Sequence, residues 1–444
     1  MSLLGQIDHL VVLMLENRSL DHMLGYLYTR QGNRSPSGQP YEGLTGKESN
    51  PDGQGGTVAV FPIDHTKPYA YFMPGADPGE GFVHTNRQLF GTGYPPSPAP
   101  GATNSGFVID FAVALERRRR EGSCVYPGTT PTDIMGCFTP QGLPVLSGLA
   151  RGYAVCDHWY SSAPTETLPN RAFAHAATSL GCMDDHADVF HTRSIFRLLS
   201  ERNVSWGVYG YNAQPLTRGH FPDSSHAPAR HFGRFHDFTL AAAKGRLPAY
   251  SFLEPSWSPA GNSQHPNYDV AAGERFILDV YRALRSGPGW NKTLFVITYD
   301  EHGGCYDHVP PPAAVPPDDI PGEFGFDFRR FGLRVPTVLV SPLIEPGTVF
   351  RAPPGGPPLD HTSLLKTMGQ RWGTPPLTAR DEAAPGIGTV LTLERPRDDD
   401  PLSGVSAPVP TSVHPARASE SSHLEEVHAR LVARHRIPGG GIGG

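Results

Sequence analysis

Two apolar runs of this sequence end in acidic side chains, and these endings are the first candidates for chemistry. Residues 10–15 lead into Glu16, and residues 294–299 lead into Asp300 and Glu301. Strands buried in a parallel sheet read as continuous Val, Ile and Leu runs, and ligands bind in the loops after their carboxyl ends. Three carboxylates at one sheet edge repel one another unless a cation lies between them. The pattern therefore predicts a cation site, although each acid taken singly is also explained by helix capping or solvation.

A hydroxyl residue in a helix-start pattern is the candidate nucleophile. The segment TLPNR at 167–171 places a proline just after Thr167, where a helix over residues 170–180 is predicted to begin. Taken alone, Thr167 is best explained as a helix cap. The alternative is that its hydroxyl attacks phosphorus, because a helix amino terminus favours a phosphate group. In that interpretation Asn170 and Arg171 hold the phosphate oxygens.

The elements that must position these residues alternate between strand and helix. Short apolar runs separated by amphipathic stretches are typical of an α/β fold with a mostly parallel sheet. The predicted strands cover residues 10–15, 204–209, 249–253, 294–299 and 335–340. The predicted helices cover residues 107–115, 170–180, 194–201, 270–285, 363–372 and 423–435.

Composition restricts the class of protein. The formal net charge of -6 argues against nucleic-acid binding, and the basic run at 117–120 is expected to be a solvated helix end. There is no uninterrupted apolar segment long enough to span a bilayer, and the amino terminus lacks the order of a signal peptide. The sequence as written predicts a soluble, cytoplasmic protein, or a secreted or periplasmic one if a signal was removed.

The domain organisation is predicted from length and loop content. The chain has 444 residues, and its 50 glycines and 47 prolines concentrate in loops. We predict a catalytic domain over residues 1–377 with a long loop insertion at 29–106. Residues 378–444 are predicted to form a surface-wrapping tail that ends in a short helix. The five cysteines show no C-x-x-C pairing, which favours free thiols or one disulfide over a zinc site.

Aromatic residues in the long loop have two explanations. They either pack the loop down, which is favoured, or form a rim that faces lipid. The residues are Phe61, Tyr69, Tyr71, Phe72, Phe82 and Phe90.

Five motifs taken together resemble a known family. They are LENRSLDH at 15–22, TLPNR at 167–171, QHP at 264–266, TYDEHGG at 298–304 and DHVPP at 307–311. In this order they resemble the bacterial phosphoesterase family of phosphatidylcholine-type phospholipases C and related acid phosphatases. That family is similar in core fold to the alkaline phosphatase superfamily. The resemblance, which covers most of the chain up to about Trp372, implies a three-layer α/β/α sandwich with a mostly parallel central sheet.

The resemblance also implies a metal centre with a covalent mechanism. It places Glu16, Asn17, Thr167, Asp300 and Glu301 around a divalent metal ion, with Thr167 as the nucleophile. A hydroxyl is a poor nucleophile unless a base or a metal stabilises its alkoxide. The oxygen ligands favour Ca²⁺, Mg²⁺ or Mn²⁺, and Zn²⁺ is the alternative if histidines join the set. A phospho-Thr167 intermediate is expected.

Several histidines are candidates for proton transfer and substrate binding. A departing alcohol needs a proton, and histidine is its usual donor near neutral pH. By the resemblance, His265 and His84 are the candidate donors. His302 is expected to orient Glu301 or contact the phosphate. His361 resembles a substrate-binding position, although its segment also reads as helix capping.

The activity that this resemblance implies is hydrolysis of a phospholipid diester. The products are diacylglycerol and a phosphorylated headgroup, and the enzyme is expected to contact a membrane surface transiently. The Asp300-Glu301 pair favours the phospholipase branch, because the acid phosphatase branch tends to carry two aspartates. An acid phosphatase acting on small phosphomonoesters is the first alternative, and a noncatalytic metal-stabilised binding module is the second. Arg18 is expected to neutralise a carboxylate beneath the site, and the oligomeric state is left open.

Overall fold

The strands and helices of the chain alternate as predicted in a computed structural model that describes residues 3–95, 101–411 and 421–435. The strands are β1 His9–Leu15, β2 Ser49–Pro51, β3 Thr57–Ala59, β4 Phe61–Pro62, β5 Gly136–Cys137, β6 Ala154–Cys156, β7 Trp159–Tyr160, β8 Trp206–Gly210, β9 Phe232–Arg234, β10 Tyr250–Glu254, β11 Thr293–Tyr299, β12 Thr337–Val340, β13 Thr348–Val349 and β14 Leu359–Asp360. The α-helices are α1 Leu20–Leu24, α2 Phe82–Phe90, α3 Phe107–Glu121, α4 Pro144–Gly152, α5 Thr167–Ala176, α6 Ile195–Glu201, α7 Thr217–His220, α8 Pro222–Ser225, α9 Phe235–Ala243, α10 Val270–Arg285, α11 Thr362–Trp372, α12 Ala379–Ala383 and α13 His423–His435.

The central sheet has eight strands in the order β13-β6-β12-β11-β1-β10-β8-β9. β12 runs antiparallel to both of its neighbours, and the other pairs in this sheet are parallel. Helices α4, α9 and α10 contact one another in one layer, and α5, α6 and α11 do so in another. The predicted α/β/α sandwich with a mostly parallel sheet is confirmed.

The two strands with acidic endings lie side by side in this sheet. Every residue of β11 is buried, as is all of β1 except its first residue, which explains why both read as unbroken apolar runs. They pair in parallel, and the register joins Leu15 to Tyr299. The next residues along each chain, Glu16 and Asp300, therefore leave the sheet at the same edge.

The five predicted strands are all present in the central sheet, and most element boundaries differ by one to three residues. Strands β6, β9 and β13 were not predicted, because two or three residues are too few to show a periodic pattern. The helix predicted over 107–115 continues to Glu121 and ends at Gly122, whose φ of 71° stops it. It therefore includes the basic run at 117–120.

The long insertion at 29–106 is structured. It contains β2, β3, β4 and α2, and its apolar residues share a small core with α3. Phe72 is buried, and four of the other five aromatic side chains are partly buried. Tyr69 is the exception at 40% exposed. Packing, the favoured explanation, is what the structure shows for most of these aromatic residues.

The carboxy-terminal segment packs against the catalytic core. In α13, the side chains of Leu424, Val427 and Leu431 are buried in a cluster that includes Leu168 and Ala172 of α5. The division into a domain over 1–377 and a tail over 378–444 stays a prediction.

All five cysteines are free thiols. Among the described helices, none is long and apolar enough to cross a bilayer.

Candidate active site

A cavity of about 650 Å³ lies where β1 ends and α5 begins, and Asp300 and Glu301 are not among the residues that line it. Four of the predicted site residues line it, namely Glu16, Thr167, His84 and His265. Asn17 is fully buried and directly contacts Thr167. The structure therefore brings the candidate nucleophile, a candidate ligand carboxylate and both candidate proton donors to one space.

The turn after β1 holds Asn17 in an unusual conformation. Its φ is 55°, a left-handed region that asparagine tolerates better than most residues. Its backbone N–H donates to Asp300 Oδ1 at 2.9 Å. Gly303 packs so closely that a Cβ there would lie 1.9 Å from the Asn17 carbonyl oxygen. The glycine therefore lets the loop after β11 close onto the loop after β1.

Thr167 is the first residue of α5, and its side chain points to the ending of β1. Its Oγ1 donates to Asn17 Oδ1 at 3.2 Å, and the residue is 3% exposed. Leu168 N–H, the next donor of the helix start, donates to Asp185 Oδ1 at 2.7 Å. Asp185 therefore caps the start of α5, a role that the sequence also allowed for the Thr167 side chain. The Thr167 hydroxyl donates to Asn17 instead.

Asn170 and Arg171, the predicted phosphate contacts, are held by the protein around them, although Arg171 Nη1 is buried without a hydrogen-bond partner among the described residues. Asn170 Nδ2 donates to three carbonyl oxygens of the turn that precedes α5. Arg171 Nε donates to Asp300 Oδ2 at 3.0 Å, and its Nη2 donates to the Leu15 carbonyl oxygen at 3.1 Å. Both residues are buried. In this geometry they position Thr167 and Asp300.

The carboxylates at this edge carry more negative charge than their surroundings neutralise. Burial, together with Asp300, raises the pKa of Glu16 to about 8. Burial, Glu80 and Asp300 raise the pKa of Glu301 well above its ordinary value. Glu301 Oε2 accepts from Gly303 N–H at 2.7 Å, whereas Oε1 is buried without a hydrogen-bond partner among the described residues. A buried carboxylate oxygen without a partner indicates that a group is to be bound there.

His265 and His84 both present a ring edge to the cavity. His265 Nδ1 lies 2.9 Å from the Pro266 carbonyl oxygen, and its Nε2 lies 3.8 Å from Glu80 Oε2. His84 Nδ1 lies 2.9 Å from Asp110 Oδ1, which orients the ring. In each residue the Nδ1 side is held by the protein while the ring borders the cavity.

His302 and His361 are buried and are not among the residues that line the cavity. His302 Nδ1 is 3.3 Å from Glu301 Oε2, and its Nε2 is 2.7 Å from Gln88 Oε1. His361 Nε2 lies 2.6 Å from the backbone carbonyl oxygen of Asp300. Burial lowers the pKa of His302 to about 3 and that of His361 to about 4. As neutral, buried rings, they orient the acid pair.

Glu80 is a site residue that the sequence analysis missed. Its Oε2 accepts from Asn17 Nδ2 at 2.5 Å, so the amide oxygen of Asn17 is turned toward Thr167. Burial and the neighbouring Asp77 raise the pKa of Glu80 well above its ordinary value. The only signal in the sequence is the glycine-rich loop at 79–81, which has no periodicity to place it.

The basic run at 117–120 ends α3, and Arg119 and Arg120 are exposed as predicted. Arg118 differs, because it forms an ion pair with Asp77 and both of these residues line the cavity. Arg18, which was expected to neutralise a carboxylate, forms no ion pair with one among the described residues. It donates to the carbonyl oxygens of Gln264, Met73 and His265 at 2.6, 2.7 and 3.0 Å. Buried carbonyl groups therefore take up its donors, and Arg18 anchors the loop that carries His265.

Comparison with known proteins identifies the family. The model of the Phosphoesterase family matches residues 7–375. Non-specific phospholipase C1 of Arabidopsis thaliana is 37% identical over 453 residues, covering 96% of this chain and 79% of that protein. Phospholipase C A of Mycobacterium tuberculosis is 28% identical over 467 residues, covering 92% of this chain and 83% of that protein. Because plant proteins are among these relatives, the family is not confined to bacteria.

A solved structure from the alkaline phosphatase superfamily, from Vibrio parahaemolyticus, is also similar. It is 13% identical with a TM-score of 0.34, and the match covers 55% of this chain and 64% of that one. The likeness is weak, and the assignment does not depend on it. Because the family model spans most of the chain and the plant relative is similar across nearly all of it, this chain belongs to the Phosphoesterase family and is a phosphoric ester hydrolase.

Proposed function

We propose that this protein is a metal-dependent phospholipase C that uses Thr167 as its nucleophile. It would hydrolyse a phospholipid diester to diacylglycerol and a phosphorylated headgroup. The observation that carries the proposal is the hydrogen bond from Thr167 Oγ1 to Asn17 at the start of α5, inside a cavity bordered by His265 and His84. Relatives named phospholipase C support the choice of substrate class.

The residues at the sheet edge fit a divalent cation. Glu16, Asp300 and Glu301 are buried together, and Arg171 is the one arginine that contacts this trio among the described residues. Glu301 Oε1 lacks a partner there, as a metal ligand does before its metal binds. The donors of this trio, with Asn17 Oδ1 and Thr167 Oγ1, are oxygens, which suits Ca²⁺, Mg²⁺ or Mn²⁺. Asp77, Glu80 and His265 at the cavity form a second group whose ligand atoms lie close enough to hold a metal ion, and its histidine nitrogen keeps Zn²⁺ as the alternative. When bound, such an ion would stabilise the Thr167 alkoxide and the charge on the phosphoryl oxygens.

The protein residues supply attack, proton transfer and orientation. Thr167 Oγ forms a bond to phosphorus while the bond from phosphorus to the glycerol oxygen breaks, which leaves the headgroup phosphate on Thr167. His265 or His84 gives a proton to the departing glycerol oxygen. The same histidine then takes a proton from water as that water attacks phosphorus. Thr167, which enters the reaction as the alkoxide after releasing its proton to solvent, leaves as the alkoxide again, and the phosphorylated headgroup is released.

Replacement of Thr167 tests the nucleophile. Thr167→Ala is expected to lower turnover of a soluble choline phosphodiester by about four orders of magnitude. Thr167→Ser is the matched control, because it keeps the hydroxyl and is expected to retain measurable turnover. Mass spectrometry of acid-quenched Thr167→Ser and parent enzyme should find the phosphorylated headgroup on residue 167. Unchanged turnover in Thr167→Ala would refute the proposed role.

Substrate preference tests the phospholipase assignment against the acid phosphatase alternative. We expect kcat/KM for a choline phosphodiester to exceed that for a simple phosphomonoester of equal leaving-group pKa. Dialysis against a chelator should abolish both activities, and Ca²⁺, Mg²⁺ or Mn²⁺ should restore them. A clear preference for the monoester would favour the acid phosphatase. Full activity after chelation would contradict metal dependence.

A further inference from the structure

An apolar tip protrudes from the loop at residues 318–327. Phe324 is 60% exposed and Ile320 is 42% exposed, and the two side chains lie in one short loop. A pair of exposed large apolar residues is more informative than a single one. Phe324 adopts φ 57° and ψ 14°, a left-handed conformation that is unfavourable for a bulky L-residue. Phe324 therefore keeps its aromatic side chain exposed even though this backbone conformation is unfavourable for phenylalanine.

The tip lies beside the mouth of the cavity. The Phe324 ring stacks on Phe82 with centroids 5.6 Å apart and planes 15° apart. Phe82 begins α2, immediately after Gly81, which lines the cavity. On its other side the loop is tied down by Glu323, whose Oε2 accepts from Met183 N–H at 2.8 Å. Asp185, two residues beyond Met183, also lines the cavity, so both anchors of the tip lead to the cavity rim.

The charges around the tip restrict what it can approach. Residues 318–330 contain four carboxylates and two arginines, Arg329 and Arg330, so the segment keeps a net negative charge. An anionic membrane attracts basic segments and repels acidic ones. The surface of a zwitterionic phospholipid layer presents ammonium groups outermost, which complement carboxylates, and apolar chains beneath, which accept aromatic side chains.

We infer that Ile320 and Phe324 form the surface by which this protein docks on zwitterionic phospholipid. Docking at this tip would hold the cavity mouth against the layer that contains the substrate. The inference rests on the proposed phospholipase function, which it deepens. It assigns the lipid contact to this loop and not to the aromatic residues of the 29–106 insertion, most of which are packed.

Vesicle partitioning without turnover tests the inference. In the Thr167→Ala background, binding to unilamellar phosphatidylcholine vesicles is measured by sedimentation. Phe324→Ser is expected to weaken binding about tenfold, the effect of withdrawing part of one aromatic side chain from an apolar layer. Phe324→Leu should retain most of the binding. Leu240→Ser is the matched control, because Leu240 is 41% exposed on α9 and is expected to bind as its parent does.

Turnover with otherwise native enzyme separates docking from chemistry. With Phe324→Ser, the ratio of activity on vesicles to activity on monomeric short-chain phosphatidylcholine should fall about tenfold. Equal loss in Leu240→Ser, undiminished binding by Phe324→Ser, a requirement for anionic lipid, or a change in oligomeric state instead of vesicle binding would each overturn the inference. Absence of all phosphodiester turnover in the parent enzyme would overturn the proposed function, whatever the vesicle binding shows.

Discussion

Two buried acidic clusters are built from the same two chain segments, those that follow β1 and β11, and they differ in how their charge is neutralised. In the first, Asp21 and Asp307 each accept a hydrogen bond of 2.9 Å from Arg334. His308 Nδ1 also lies 2.6 Å from Asp21. Two carboxylates are thus matched by a guanidinium and an imidazole within one network.

The second cluster, at the cavity, has no such match. Arg171 contacts Asp300, and no lysine or second arginine among the described residues forms an ion pair with Glu16 or Glu301. Burial raises the pKa of Glu16 to about 8. In the first cluster, Asp21 overcomes the effect of burial and raises the pKa of His308 to about 8, which favours its charged form. The first cluster therefore clamps two loops together, whereas the second lacks matching cations, and the cation that we propose would bind there.

Removing the central cation of the clamp should have the largest effect on stability. Arg334→Met leaves Asp21 and Asp307 buried without their partner, so we expect the free energy of unfolding to fall by about 3–5 kcal/mol. Urea denaturation followed by circular dichroism measures this loss. Arg329→Met is the control, because Arg329 is exposed and pairs only loosely with Asp327. A loss of under about 1 kcal/mol in Arg334→Met would contradict the clamp.

Removing a carboxylate from the second cluster should lower metal binding and turnover without lowering stability, unlike the substitution of Arg334. Glu301→Gln is expected to weaken Mn²⁺ binding and lower turnover by at least about 100-fold, because a ligand is lost. The metal-free variant should be no less stable than the parent, because the raised pKa of Glu301 favours its neutral form, which glutamine resembles in shape, and the glutamine oxygen can still accept from Gly303 N–H. Isothermal titration calorimetry with Mn²⁺ and urea denaturation give the two values. Marked destabilisation with unchanged Mn²⁺ affinity would place Glu301 among structural residues.

The stability that the first cluster provides should depend on pH, because His308 titrates within it. Its pKa is raised in the folded state, from 6.5 to about 8. The folded protein therefore binds this proton more tightly, and the stabilisation is present below pH 6.5 and is lost as pH rises through about 8. A shift of this size corresponds to about 2 kcal/mol. The difference in unfolding free energy between parent and His308→Gln should shrink by about that amount between pH 6 and 9.

A control for this pH dependence is provided by His236→Gln, since His236 lies exposed at the start of α9. That variant should keep the pH profile of the parent. If His308→Gln also keeps it, the imidazole does not contribute its charge to the clamp.

The strand endings were predictable from the sequence, and the histidines around them only in part. Unbroken apolar runs identified β1 and β11, and their parallel register brings Glu16 beside Asp300. Sequence adjacency to the acid pair suggested His302 as a contact of either Glu301 or phosphate. Its ring lies between Glu301 and Gln88, so the first of these two contacts is present in the structure. The contact with Gln88, which comes from the long insertion, had no signal in the sequence.

Residues contributed by the long insertion were not predictable. Asp77 and Glu80 reach the cavity because the insertion folds onto α3, where Arg118 pairs with Asp77. No periodic pattern marks this packing, since it depends on contacts between segments far apart in sequence. The same limit explains why Arg118 was read as a solvated helix end.

Substitution of Glu80 tests whether the orientation of Asn17 in the second cluster matters for the reaction. Its carboxyl group accepts from Asn17 Nδ2, which directs Asn17 Oδ1 to the Thr167 hydroxyl. In Glu80→Gln the side-chain amide can present either its NH₂ group or its oxygen, so the orientation of Asn17 is no longer fixed. We expect kcat to fall about tenfold with KM nearly unchanged, because substrate binding is retained while the nucleophile is less well oriented.

The matched control for this substitution is Glu121→Gln, which also removes a carboxylate from the cavity lining. Glu121 is exposed, and its ion-pair partner is Arg117 rather than a residue that contacts Asn17. Glu121→Gln should leave kcat within twofold of the parent value. Equal effects of the two substitutions on kcat would mean that the reaction depends only on the total charge of the cavity lining. A selective effect of Glu80→Gln on kcat would instead place the orientation of Asn17 among the requirements of the reaction, and with it the contact between the long insertion and the edge of the central sheet.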